Sequence, residues 1–337
     1  MTNDVSIPRA DDLHIHLRQG DMMRAVVPTL HAGGIGRCLV MPNTTPPIAT
    51  TAQALAYRSE LRALEPRVDF LMTLYLTPAL TADEVRRAAA AGITGVKFYP
   101  HGVTTNSASG IADPLAFGPV LAAMQETGLV LELHGETPSA PDAGICILNA
   151  EERFLPIVER LHAQYPRLRI VLEHITTERA AVAVESMGDT VAATITAHHL
   201  DLIVDDWAGK NHNFCKPVAK LPSDRDALRA IVRTGHPRFF LGSDSAPHPR
   251  DAKETACACA GVYTSPLLLA YLADTFDRLA CLDKLGPFVG EFGRKFYRLP
   301  AQPRTLRLIR RAQKVPAAFG SVVPYRAGET LAWTVET

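Results

Sequence analysis

The chain has 337 residues, with 35 basic and 35 acidic side chains, no net formal charge and 47% hydrophobic residues. That balance, with a pI near 7.2, argues against a nucleic-acid partner. No apolar run reaches the roughly 18 residues of a membrane span, and the start MTNDVSIPRADD lacks the basic beginning and apolar stretch of a signal peptide. A cytosolic (cytoplasmic) enzyme fits best.

The first strand-like stretch is DLHIHLR, residues 12–18. Leu13, Ile15 and Leu17 alternate with His14, His16 and Arg18, and residues two apart on a strand share a face. His14, His16 and Arg18 are therefore expected to point into one site. Further strand-like runs follow at 38–41, 70–76, 95–99, 130–134, 170–174, 192–197 and 239–243. Several, such as FLMTLYL and RIVLEHI, are almost continuously apolar, as strands buried on both faces of a parallel sheet are.

Helix punctuation separates these runs. Thr81-Ala-Asp-Glu84 has the spacing of a capping box and Gly92 ends that helix. Asp113 and Pro114 supply a cap and a first-turn proline, and Gly128 closes the helix. Gly33, Gly188 and Gly235 mark further stops. Eight strands, each followed by a helix, predict an α/β fold, a (β/α)8 TIM barrel. We read residues 1–337 as a single unit in which 245–337 close the barrel and add a C-terminal helical extension. Helices are expected at 265–277 and 279–296, then a helix and an extended segment after Thr305, punctuated by Pro324 and Gly328. The six cysteines are scattered, only Cys257 and Cys259 lying close together, and read as free thiols.

In a (β/α)8 barrel the chemistry stands at the carboxyl ends of the strands. There the sequence offers His14 and His16, then Asn43 in MPN, Lys97 in VKFYP, His134 in ELHGE, His174 in LEHIT, and Asp244 and His248 in GSDSAPH. Each has a plainer reading. A strand-end histidine can be simply hydrogen-bonded, Lys97 can snorkel from the barrel mouth, and Asp244 can cap a helix. Four imidazoles, a carboxylate and an apolar-set lysine on one rim are harder to assign to chance. His31, His162, His198, His199, His212 and His236 read as structural, and Glu132, on the strand face of His134, as a support behind it.

Imidazole and carboxylate suit zinc. Four His and one Asp exceed one catalytic zinc with an open position, which implies two ions and a bridge. A lysine ammonium has no acceptor and cannot ligate. A desolvated lysine has a lowered pKa and becomes nucleophilic. It can add carbon dioxide to form a carbamate, an anionic bidentate oxygen ligand.

The set HIHLR, MPNTTPP, VKFYP, LHGE, LEHI and GSDSAPH, with TTNS at 104–107, CKP at 215–217, CACAG at 257–261 and AGET at 327–330, resembles the amidohydrolase superfamily and, within it, the short bacterial and fungal dihydroorotase family. The likeness runs essentially end to end. It implies that His14, His16 and Asp244 bind one zinc and His134 and His174 a second. Lys97, as N6-carboxylysine, would bridge the two Zn2+ together with a hydroxide. It further implies that Arg18, Asn43 and His248 hold the substrate carboxylate. The main chain at Lys216 and Ala260 would contact the ring, with His134 also on the substrate side. Position 216 is Lys here where some relatives carry Leu. Thr104 and Thr105 would lie on a loop, residues 101–110, that closes over the ligand. Asp244 would shuttle the proton, the subunits would pair as a homodimer, and the reaction would be the reversible hydrolysis of dihydroorotate to N-carbamoyl-L-aspartate. The rival readings are a hydantoinase-type cyclic amidase with the same metal set, a mononuclear deaminase, in which Lys97 would have no role, and a non-catalytic scaffold relative. Arg18 and Asn43, as carboxylate readers, speak against the first.

Overall fold

The computed structural model describes residues 3–107 and 109–336. Eight parallel strands in sequential order form the sheet at its centre. In chain order, β1 (Asp4–Pro8) stands apart, and the barrel strands are β2 (Ala10–Ile15), β3 (Ile35–Val40), β4 (Asp69–Tyr75), β5 (Gly95–Phe98), β6 (Val130–Leu133), β7 (Ile170–Leu172), β8 (Val191–Ile195) and β9 (Phe239–Leu241). All eight coincide with the strand-like runs of the sequence, because a strand covered on both faces must be apolar throughout. Residues in β3, β5, β6, β7, β8 and β9 are buried without exception.

Closure of the ring is completed beyond β9. The amide of Asp244 donates to the carbonyl of His14 at 2.9 Å, and that of His16 to the carbonyl of Ser245 at 3.1 Å. These bonds lay the segment after the last strand alongside the first.

The expected caps form, with one change. Thr81 accepts from the Glu84 amide and Asp113 from the Leu115 amide. Glu84 does not return to the amide of Thr81. Its buried carboxylate accepts instead from the amide of Thr51, at the start of the neighbouring helix Thr51–Leu64. Gly128, Gly188 and Gly235 end their helices in left-handed conformation, which glycine adopts without steric penalty.

The C-terminal part departs from expectation. The helix at 265–277 is present as Leu268–Arg278, but the run at 279–296 is broken into Leu285–Gly290 and Phe292–Tyr297. The break follows from packing. Phe292, Phe296, Tyr297 and Leu299 join Leu13, Leu39, Met41, Val130, Val171, Ala192 and Phe240 in the cluster that fills the lower barrel. A side chain at Gly293 would collide with Leu13 and Phe240, so this turn can plug the barrel only with glycine there.

Among the described residues after Thr305 there is no helix. β10 (Thr305–Lys314) and β11 (Thr330–Val335) pair with each other and β10 pairs with β1, making a three-stranded antiparallel sheet. The partner of β10 begins at Asp4, and no local pattern announces a pairing across the length of the chain. The extension is therefore partly helical and partly a sheet that also takes up the first residues. Among the described residues no helix is long and apolar enough to cross a membrane, and the six cysteines are free.

Candidate active site at the carboxyl ends of the strands

The completed closure decides the centre of the site. Pairing Asp244 with His14 and Ser245 with His16 sets three donors together. His16 Nε2 lies 3.1 Å from Asp244 Oδ1 and His14 Nε2 3.5 Å from the same oxygen. The ligand atoms of His14, His16 and Asp244 all lie within 4.8 Å of one another, a group that can hold a metal ion. Behind them Asp12, fully buried, accepts from the amide of Ser243 at 2.7 Å and its hydroxyl at 2.6 Å, which fixes the segment.

The other rim residues converge on this group. The His174 ring lies 4.8 Å from that of His14 and 4.9 Å from that of His134. Lys97 is fully buried in β5, and its Nζ, 5.2 Å from the Tyr99 ring centroid, has no hydrogen-bond partner among the described residues. His14 and the Nδ1 of His174 are likewise without one. His14 Nδ1 does stand 3.0 Å from Glu173 Oε2, as an ion-pair distance rather than a well-angled hydrogen bond.

Three non-glycine residues of this rim have left-handed backbone: Arg18 at φ 59°, His174 at 41° and Asp244 at 45°. Such a conformation costs on the order of 1–3 kcal/mol and collects at functional sites. At His174 it has a visible consequence. The strand alternation breaks, so that consecutive residues Glu173 and His174 both reach His14. At Arg18 it corrects the sequence reading. β2 ends at Ile15, so Arg18 reaches the site through this turn rather than by sharing a strand face with His14 and His16.

Electrostatics follow from burial. Burial, aided by Lys97 and the neighbouring imidazoles, holds His14 and His174 well below the ordinary histidine value. Burial also lowers His16 and His134, although Asp244 and Glu136 oppose it. All four are then neutral near pH 7, the form that ligates metal. Lys97 is pushed down to about 8 by burial, against the pull of Glu173, Glu132 and Asp244. Glu173 is raised to about 7 and Glu132 well above the carboxylate range, burial being the main cause for both.

Supporting residues fix the imidazoles. His16 Nδ1 donates to Asn43 Oδ1 at 2.7 Å, which leaves Nε2 facing Asp244. His134 Nε2 donates to Glu136 Oε2 at 2.8 Å. Glu173 accepts from the Thr194 hydroxyl at 2.5 Å. Metal-ligating histidines characteristically hold such partners on the other ring nitrogen. Glu173 and Glu136 were not singled out from sequence for this role. The available signal was a glutamate embedded in an apolar strand end, in LEHI and LHGE. Glu132 does stand beside Lys97, opposite it in register across β5 and β6.

A second group of residues forms a polar wall above. Arg18 donates from Nε to Pro247 O at 2.9 Å and stands 3.0 Å from His248 Nε2, which is also 3.0 Å from Ala260 O. That nitrogen can serve only one of them: protonated it donates to Ala260, unprotonated it accepts from Arg18. Burial and the Arg18 charge push His248 down to about 3. Asn43 has one further bond, Nδ2 to Thr105 O at 3.0 Å. Thr105 Oγ1 lies 3.4 Å from Ala260 O, and Asn106 Nδ2 donates to Asn43 O at 2.9 Å. The segment 101–107 thus lies across the mouth. Ala108, within the expected loop, falls outside the described residues. The cavity left beneath, lined by His16, Arg18, Asn43, Thr104, Asp244 and Ala260 among others, has about 20 Å³, room for about one water. A larger cavity, about 750 Å³, lies at the opposite end of the barrel beside Arg9, Arg37, Asp69 and Arg304. It contains none of the rim residues.

The barrel and its rim of buried imidazoles and carboxylates define an amidohydrolase, and the amidohydrolase sequence family matches residues 40–187. The dihydroorotase of Mycosarcoma maydis is 45% identical over 387 residues, covering 98% of each chain. The crystal structure of the Saccharomyces cerevisiae dihydroorotase in complex with 5-fluoroorotic acid is 42% identical, with a TM-score of 0.96 over 99% of both chains. The chain belongs to the dihydroorotase family. An L-hydantoinase (dihydropyrimidinase) from Arthrobacter aurescens, 18% identical with a TM-score of 0.84 over 98% of this chain and 82% of that one, shares the fold alone.

Proposed function

We propose that the protein catalyses the reversible hydrolysis of the cyclic amide of (S)-dihydroorotate to N-carbamoyl-L-aspartate, in de novo pyrimidine biosynthesis. The observation that carries this reading is the cluster of His14, His16 and Asp244 with Lys97, His134 and His174 around it, buried and in part without partners, in a chain matched end to end by dihydroorotases. Unpaired buried polar atoms are costly unless something binds them, so this donor set fits metal ions. We assign His14, His16 and Asp244 to one zinc, His134 and His174 to a second, and Lys97, carboxylated on Nζ, to the bridge between them. With the Lys97 value near 8, about a tenth of the amine is neutral at pH 7 and able to add carbon dioxide. When bound, such ions polarise the amide carbonyl and lower the pKa of a water.

The protein's own groups do the rest. Asp244 accepts the proton of the attacking water and delivers it to the departing amide nitrogen, acting first as base and then as acid. Arg18, with Asn43 and His248, receives the ring carboxylate, and the main chain at Lys216 and Ala260 meets the ring amide groups. Thr104 and Thr105 close over the substrate. The subunits pair as a homodimer in the cytoplasm, the first point being open to sedimentation or light scattering.

The test compares two substrates, dihydroorotate and dihydrouracil, the same ring without the carboxylate. The wild type should strongly prefer dihydroorotate. Arg18→Ala should lose on the order of 2–5 kcal/mol of transition-state binding for dihydroorotate, as when one partner of a buried charge pair is removed, and little for dihydrouracil. An unchanged kcat/KM ratio in the variant removes Arg18 from carboxylate recognition. A wild type that prefers dihydrouracil makes the protein a hydantoinase-type amidase.

A further inference from the structure

The segment 101–107 covers the mouth, and the cavity beneath it, about 20 Å³, is too small for a substrate ring. It must therefore lift for each substrate to enter. Most of what holds it down is neutral. Asn43 bonds to Thr105 O and Asn106 to Asn43 O, while the Thr105 hydroxyl reaches Ala260 O only at 3.4 Å. One contact differs. Lys216 Nζ donates to the carbonyl of Val103 at 2.7 Å, immediately before Thr104 and Thr105. Among the described residues it is the one charged group hydrogen-bonded to residues 101–107.

Lys216 acts from a rigid base. The buried ammonium of Lys253 donates to Phe214 O, Cys259 O and Gly261 O at 2.8–2.9 Å, which ties the chain just before Lys216 to the chain around Ala260. The Gly261 amide adds a bond to Phe214 O. Lys216 also lines two cavities: the small one over the rim, and one of about 200 Å³ under the base of the covering segment, beside Val103 and Glu136. It forms part of the wall between them.

We propose that the Lys216 side chain is the latch of this segment, a positioning residue whose ammonium holds Val103 and with it Thr104 and Thr105 over the site. The role is separate from the main-chain contact assigned above, because a side-chain substitution leaves the peptide group in place. It rests on the proposed reaction for its kinetic consequence, but not for its structural one.

The experiment uses the metal-loaded full chain and the variants Lys216→Met, which keeps the stem, and Lys216→Arg, which keeps the charge. Hydrogen exchange of amides in 102–107 is measured without substrate, and KM, kcat and metal content are measured alongside. A hydrogen bond to a charged group has a net worth that corresponds to at least about tenfold. Lys216→Met should exchange about tenfold faster in 102–107, with metal content unchanged and a KM for dihydroorotate no higher than that of the wild type, because the latched segment also keeps substrate out. Lys216→Arg should recover most of the slow exchange. Exchange within twofold of wild type in Lys216→Met overturns the proposal. So does an arginine variant as impaired as the methionine one, or a loss of metal. If the wild type does not turn over dihydroorotate, the functional reading fails, while the exchange comparison still decides the latch.

Discussion

The two ends of this barrel treat buried charge in opposite ways. At the amino ends of the strands Arg37, 4% exposed, is fully committed. It donates to both oxygens of Asp11 at 3.2 and 3.3 Å, to Asp69 at 3.1 Å and to Pro300 O at 3.1 Å, while Gln302 adds a bond to Asp11. At the carboxyl ends, among the described residues, Lys97, equally buried, has no hydrogen bond, and His14 and His174 keep unbonded ring nitrogens. An ordinary core does not leave such atoms unpaired. The paired charge at the amino ends holds the barrel together, and the unpaired group gathered on the carboxyl rim is the set that we assign to metal.

The strongest way to break that contrast is at the rim. Lys97→Ala should lose at least one metal and about 10³-fold or more in turnover, the several kcal/mol that metal stabilisation of the transition state supplies. A small carboxylic acid added in solution should restore part of both, by supplying the missing oxygen ligand. A Lys97→Ala protein with two metals and normal turnover would contradict the bridging assignment.

The opposite end should respond in stability and not in chemistry. Arg37→Ala leaves Asp11 buried without its cation, a change that costs about 3–5 kcal/mol. Burial already raises Asp11 to about 6 with Arg37 in place. Urea unfolding should show this loss, while metal content and kcat of the folded protein stay near wild type. A large loss of kcat with intact stability would mean that the two ends are not separable in this way.

The smallest effect lies between the two cases, at a buried histidine with no assigned chemistry. His199 is 2% exposed, sits 3.1 Å from Pro217 O, and is pushed down to about 4 by burial. Its folded value is below its unfolded value of about 6.5, so the unfolded chain takes up more protons as pH falls. The stability it contributes is therefore full above about pH 6.5 and is lost on acidification toward 4. At pH 5 the loss is about 2 kcal/mol. Unfolding of the metal-free protein at pH 7.5 and 5 should show a difference smaller by that amount in His199→Gln. Equal differences in the two proteins would place His199 among groups that titrate alike in both states.

Much of this was legible in the chain. His14 and His16 announce themselves by alternation in a strand, and Lys97 by its apolar neighbours. Arg18 was found for an incomplete reason, since a left-handed turn and not the strand face carries it to the site. Glu173 was passed over because strand alternation assigns it to the face opposite His174, and only the backbone twist at His174 turns both inward. The run at 279–296 carries Gly286, Pro287, Gly290 and Gly293, poor helix formers that the sequence reading passed over, and the lower barrel accepts only a short turn with Gly293 at the contact, which splits it.

By itself the sequence determined the eight strands, most of the helix ends and the residue types on the rim. These depend on which faces are apolar and which residues tolerate a cap or a left-handed turn, both local properties. Tertiary structure alone decided that Asp244 lies beside His14 and His16, through backbone bonds and an Asp12–Ser243 contact 231 residues apart. It alone decided that β10 pairs with the first residues and with β11 rather than forming a helix. Pairing across such distances is set by chain closure and by what remains uncovered once the barrel has formed, and no window of neighbouring residues contains that information.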